Sequence, residues 1–156
     1  MISFKSVGKT TEEKNAESLS VTPPPIGIKT PMREGNGSDG IFAMHKDIGD
    51  VIADNLRNLV LTNWGERLVH YRYGANLMEL TTEIVNKDDF ELEAAKRIST
   101  AVGTWMSYVN LIDLNSDVDY TKKPSEAIAL IRIYLTYDVP SLSITQRTIE
   151  IVLNAI

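Results

Sequence analysis

Ala127-Ile128-Ala129-Leu130-Ile131-Arg132-Ile133-Tyr134-Leu135-Thr136-Tyr137 is the stretch that decides the fold. Ile131, Ile133, Leu135 and Tyr137 fall on one face, with Arg132, Tyr134 and Thr136 on the other. A period of two marks a strand with one face buried. Downstream, Pro140 and Ser141 break the pattern, and Thr148 to Leu153 alternates again through Ile149, Ile151 and Leu153. Upstream, Val109 to Val118 reads as a further strand, and Asp119 to Glu126, with Pro124, as the turn between.

Before Tyr108 the period is 3.6. A first helix is expected from Ile41 to Thr62, with Ile48, Val51, Ile52, Leu56, Leu59 and Val60 in one stripe. Asp47, Asp50, Asp54 and Arg57 take its other face, and Gly65 stands where a glycine could close it. Asn76 and Glu79 have the spacing of a capping box for a short helix from Leu77 to Val85, with Leu77, Leu80 and Ile84 on one face. Asp88 and Glu91 repeat that signal for a helix ending near Tyr108. Its stripe is Ala94, Ile98, Ala101, Val102 and Trp105, with Lys96, Arg97 and Thr100 outside. Helices followed by antiparallel strands make the fold class α+β: two long helices, one short helix and a small sheet.

Residues 1–40 differ in composition. Met1 to Ser20 is rich in Lys, Glu, Thr and Ser, and Pro23-Pro24-Pro25 is a stiff polyproline spacer. Ile26 to Pro31 continues extended, because Pro31 biases Thr30 away from helix. Gly35, Gly37 and Gly40 mark a loop. The organisation expected is an extended arm over 1–40, an α+β domain over 41–138, and a linker with a C-terminal strand over 139–156.

The 156 residues carry 43% apolar and 24% charged side chains, ordinary values for one globular domain with a real core. A net charge of −5 argues against tracking a nucleic-acid backbone. No cysteine is present, so disulfides and thiolate metal sites are excluded. No apolar run approaches the roughly 20 residues a membrane span needs. Residues 1–20 have no apolar core of a secretory signal.

The candidate chemistry is thin. Glycoside hydrolysis needs two opposed carboxyls, ~5 Å or ~6.5–9.5 Å apart. Glu79 and Glu83 stand i, i+4 on one short helix and point the same way. Glu66 lies beside Arg67, which favours its charged form. His45 and His70 lack the companions of a zinc site. There is no P-loop, GxGxxG or nucleophile elbow. No catalytic residue, metal site or cofactor is expected.

The remaining motif is Leu61-Thr62-Asn63-Trp64-Gly65-Glu66-Arg67, with Tyr73-Gly74 a few residues on. It resembles the baseplate wedge family of contractile phage tails (gpW/TssE-like, at times labelled lysozyme-like). That family's pattern is a leucine-ended helix, Thr-x-x-Gly-Glu-Arg, then Phe-Gly. Where relatives carry proline and an acid before Phe-Gly, this chain has His70-Tyr71-Arg72-Tyr73. Where many have Glu-Pro-Arg, it has Met106-Ser107-Tyr108, so no residue role carries onto those three.

The resemblance implies a structural protein of the virion tail baseplate, assembled in the host cytoplasm in six copies. Its implied partners are other wedge subunits with their helical bundle, the tail sheath protein, and hub or tube-proximal proteins. Neither nucleic acid nor membrane is among them. Trp64, Gly65, Glu66, Arg67, Tyr73 and Gly74 then form a docking corner, with Arg67 and the aromatics as anchors. Ile149, Ile151 and Leu153 belong to a terminal strand expected to pair, at least partly, with sheath by β-augmentation. Between Thr148 and Ile156 only Glu150 is charged and no proline occurs, a composition monomers normally blunt. The alternatives are a peptidoglycan hydrolase of the tail tip, a TssE-like part of a type VI secretion or tailocin machine, and a generic adaptor.

Overall fold

A computed structural model describes residues 24–35, 40–83, 87–123 and 126–155. The chain divides into two compact units, Met1–Asp47 and Ile48–Ile156.

In the first unit, β1 (Gly27–Ile28) pairs antiparallel with β2 (Met44–His45). The ladder continues through Lys29 N–H to the Ala43 carbonyl (3.0 Å) and Ala43 N–H to the Arg33 carbonyl (2.9 Å). Ile26, Ile28, Met32, Ile41 and Phe42 stay exposed. Met44 and His45 are therefore strand, not the start of the first helix as the sequence suggested. Only from Ile48 do apolar residues recur at helical spacing with a core to face. The expected Met1 to Pro23 stretch lies outside the described residues.

In the second unit, α1 spans Ile48–Leu61, α2 Leu77–Glu83 and α3 Lys87–Trp105. Three antiparallel strands follow: β3 (Asn110–Lys123), β4 (Glu126–Val139) and β5 (Ile144–Ala155), in the order β3-β4-β5. This is the expected α+β architecture. Strands β3 and β4 run through most of the expected Asp119–Glu126 turn, because cross-strand pairing continues to Lys123↔Glu126. The tail of the expected second helix, Ile84 and Val85, lies outside the described residues.

The core lies between the helices and one face of the sheet. Ile52, Leu56, Leu59 and Val60 of α1 meet Ala94, Ile98 and Val102 of α3, with Leu77 and Leu80 of α2. Ile131, Ile133, Leu135 and Tyr137 of β4 and Ile149, Ile151 and Leu153 of β5 close it. Burying each large aliphatic side chain there is worth about 1.5–3 kcal/mol. Asp54, assigned to the solvent face, is buried beside Arg57 at 2.9 Å, since an i, i+3 partner satisfies it. Pro140–Leu142 forms a 3-10 turn closed by Ser143 N–H on the Pro140 carbonyl (3.1 Å), which folds β5 back onto β4.

Candidate functional site

The loop from Thr62 to Asn76 leaves α1 and returns to its end. Ala75 N–H donates to the Leu59 carbonyl and Asn76 N–H to the Thr62 carbonyl, both at 3.3 Å. At this neck Gly74 has φ +107, and a Cβ there would land on the Thr62 carbonyl oxygen. Only glycine fits. Gly65 does not cap α1, which ends at Leu61. It is the third residue of a turn closed by Glu66 N–H on the Asn63 carbonyl (3.3 Å), with φ +88. That position needs a positive φ in a type II turn. Gly65 N–H also donates to the Tyr71 carbonyl at 2.8 Å, tying the two arms of the loop.

Glu66 is spent on Asn63. One carboxylate oxygen accepts the Asn63 N–H and the other its Nδ2, each at 2.9 Å. Thus oriented, Asn63 Oδ1 accepts the Met78 N–H at 3.2 Å and serves the open N-terminus of α2. The capping box expected from Asn76 is not formed. Asn76 has φ +52, outside the extended conformation of an N-cap, and its amide instead donates to Glu79 at 2.5 Å. Asn63's amide first, and its backbone N–H second, hold the Glu66 carboxyl below its ordinary value of 4.5.

His70, Tyr73 and Trp105 form one cluster of edge-on and tilted rings. The Arg67 guanidinium lies 3.9 Å from the Tyr73 ring centroid. Tyr73 meets Trp105 at 5.2 Å, and His70 meets the same indole edge-on at 5.3 Å. Trp64 Nε1 donates to the Gly74 carbonyl at 3.2 Å. Tyr108 sits close by; burial first and Tyr73 second push its phenol above its ordinary value of 10.0. In Met106-Ser107-Tyr108, Met106 is buried and Val109 N–H donates to its carbonyl at 2.9 Å.

The tip of the loop is apolar and exposed: Leu68 at 93% and Val69 at 96%. Val69 holds φ +73, a strained region for a β-branched residue. Sequence patterning missed this tip, because two isolated aliphatics between charges carry no periodic signal.

Arg97 was assigned to a solvated face; it is half-buried. Its Nη1 donates to the Asn76 carbonyl at 2.8 Å and to Glu79 at 2.9 Å, and its Nε lies 3.4 Å from Glu93. It pins α2 and the loop to α3. Among the described residues, no group of three or more His, Asp or Glu is placed to hold a metal ion. No described helix is long and apolar enough to cross a membrane.

Of the expected site residues, Trp64, Gly65, Glu66, Arg67, Tyr73 and Gly74 come together in this corner. Ile149, Ile151 and Leu153 lie on the inner face of β5, opposite Leu135, Ile133 and Ile131. Their side chains are buried in the chain's own core, so β5 offers its backbone edge and outward residues instead.

The chain shares this fold with two solved structures. One is a crystal structure of a Geobacter sulfurreducens protein described as a tail lysozyme: TM-score 0.55, 17% identity, 70% of this chain and 93% of the other. The second is a chain of the six-fold symmetrised cryo-EM baseplate of the anti-feeding prophage: TM-score 0.56, 19% identity, 78% of this chain and 90% of the other. At these identities the likeness is one of fold. No protein-family model and no curated protein matches the chain.

Proposed function

We propose that this chain is a structural, non-catalytic wedge component of a contractile-tail baseplate, carried in the virion tail in six copies. It docks on wedge subunits through the 62–76 corner and initiates sheath assembly through β5. The observation that carries this reading is the outer edge of β5. That strand ends the sheet, runs twelve residues and bears two charges, Arg147 and Glu150. Val152 is exposed on its outward face. The opposite edge, β3, is interrupted by a bulge between Leu111 and Asp113 and carries Asp113 and Asp117. Bulges and charges blunt edges; β5 has its register shift opposite Asp138, near its start, and from Thr148 onward bears only the charge of Glu150, so this regular stretch suits an added strand. The shared fold with a baseplate chain supports the same assignment.

The absence of catalysis is supported by Glu66. A general acid of glycoside hydrolysis needs a raised pKa and a free proton. Glu66 is shifted downward and both its oxygens accept hydrogen bonds from Asn63. A TssE-like or tailocin component would use the same surfaces.

Removing β5 would remove part of the core, so the edge is tested by substitution. Thr148→Lys with Val152→Lys places lysines on exposed positions and should leave the fold intact. Baseplates carrying this variant should fail to nucleate sheath. Full-length sheath on such baseplates would sink the proposal.

A further inference from the structure

We propose that the groove between the 62–76 loop and α3 receives an acidic segment of a partner protein, seated on Arg72 and Lys96. The inference deepens the docking reading above and rests on it. The cavity measures about 520 Å³ and is lined chiefly by Trp64, Arg72, Glu93, Lys96, Arg97 and Trp105. That volume falls within the range of about 300–1,000 Å³ typical of ligand sites.

Its charge runs against that of the chain. In a protein of net charge −5, three lining side chains are cations and one is a carboxylate. Arg97 is committed to Asn76, Glu79 and Glu93. Arg72 makes no hydrogen bond or ion pair among the described residues. Lys96 is 76% exposed and meets Glu93 only at 3.6 Å. Two cations therefore face the groove with capacity to spare, and a planar guanidinium suits a carboxylate in bidentate contact.

The walls supply the second half of the recognition. Trp105 is fixed by Tyr73 and His70, and Trp64 by its bond to the Gly74 carbonyl. Rigid indoles beside arginine are the side chains that dominate protein–protein hot spots. A peptide brings carboxylates spaced by neutral groups and an apolar side chain for the indoles. A phosphodiester chain would carry continuous charge past Glu93 and has no apolar side chain for the indoles, so the lining favours the peptide.

Trp64 and Trp105 are the only two tryptophans of the chain, so intrinsic fluorescence reads the groove directly. The probe is a capped hexapeptide with four acidic residues around a Leu-Phe pair, titrated into the full chain. A saturable emission change is expected. Binding should weaken at least about tenfold for the Asn/Gln version of the peptide, and for Arg72→Glu with Lys96→Glu. Both positions are exposed, and Arg72→Ala gives the same comparison if the double variant does not fold. No emission change at millimolar peptide, equal binding of the neutral peptide or the variant, or tighter binding of a single-stranded oligonucleotide would each overturn the inference. Baseplate incorporation separates the two claims. Wild-type chain that fails to enter baseplates defeats the docking reading. Wild-type and charge-reversed chains entering equally defeat the groove alone.

Discussion

Glu66 and Asn63 are joined by two hydrogen bonds of 2.9 Å, one to the backbone N–H and one to the side-chain amide of Asn63. Because Asn63 in turn accepts the Met78 N–H, an exposed carboxylate braces the start of α2, whose Met78 amide lies twelve residues further on. Within the motif, Glu66 acts as a brace.

A brace of this kind is sensitive to acid. Glu66 is depressed in the folded state, so its contribution is present above its ordinary value of 4.5 and disappears as pH falls through the folded value. Solvent screening keeps the global effect small. The protection factor of the Met78 amide, taken against the intrinsic exchange rate at each pH, should fall below about pH 4.5 in the wild type, and already at neutral pH in Glu66→Ala. Unchanged Met78 protection in both conditions would refute the brace.

The two loop glycines should respond differently to alanine. Gly65→Ala meets Tyr71 Cε2 at 3.2 Å, an exposed ring that can shift, and should cost about 1–2 kcal/mol from its positive φ. Gly74→Ala adds a collision with the Thr62 carbonyl and should cost more than about 3 kcal/mol. Urea midpoints of the two variants test the order.

Val69 stores strain without packing. Asparagine tolerates φ +73 better, and a residue 96% exposed gives up little burial. Val69→Asn should raise stability by up to about 1 kcal/mol, read as a higher Tm, while weakening entry into baseplates. A lower Tm would show that the tip is not strained.

Arg147 joins β5 to the first turn of α1, its Nη1 3.0 Å from Asp50 Oδ1. Both side chains are substantially exposed, so a double-mutant cycle should return a coupling of about 1 kcal/mol or less, diminished by salt. A Cβ on Gly49 would stand 2.6 Å from the Arg147 guanidinium carbon. Gly49→Ala should therefore abolish that coupling, by displacing a flexible end at little further cost.

The local pattern alone was enough for the helices and strands of the second unit and most of their inward faces, though not for the β1–β2 pair or the exposure of Trp105. The stripe Ile52, Leu56, Leu59, Val60 and the alternation Ile131, Ile133, Leu135, Tyr137 are local patterns, and burial follows them directly. Gly74 was visible as a motif residue, although its reason, the approach of Thr62, was not. Relations between distant positions emerge only in the folded chain. Asn63 caps α2 across fifteen residues, Arg97 ties α3 to the loop across twenty-one, and β5 hides Ile149, Ile151 and Leu153 while leaving its edge open. Periodicity reports which way a side chain faces along its own element. It carries no record of which donor, carboxylate or strand edge the folded chain brings opposite, because those partners are set by packing in three dimensions.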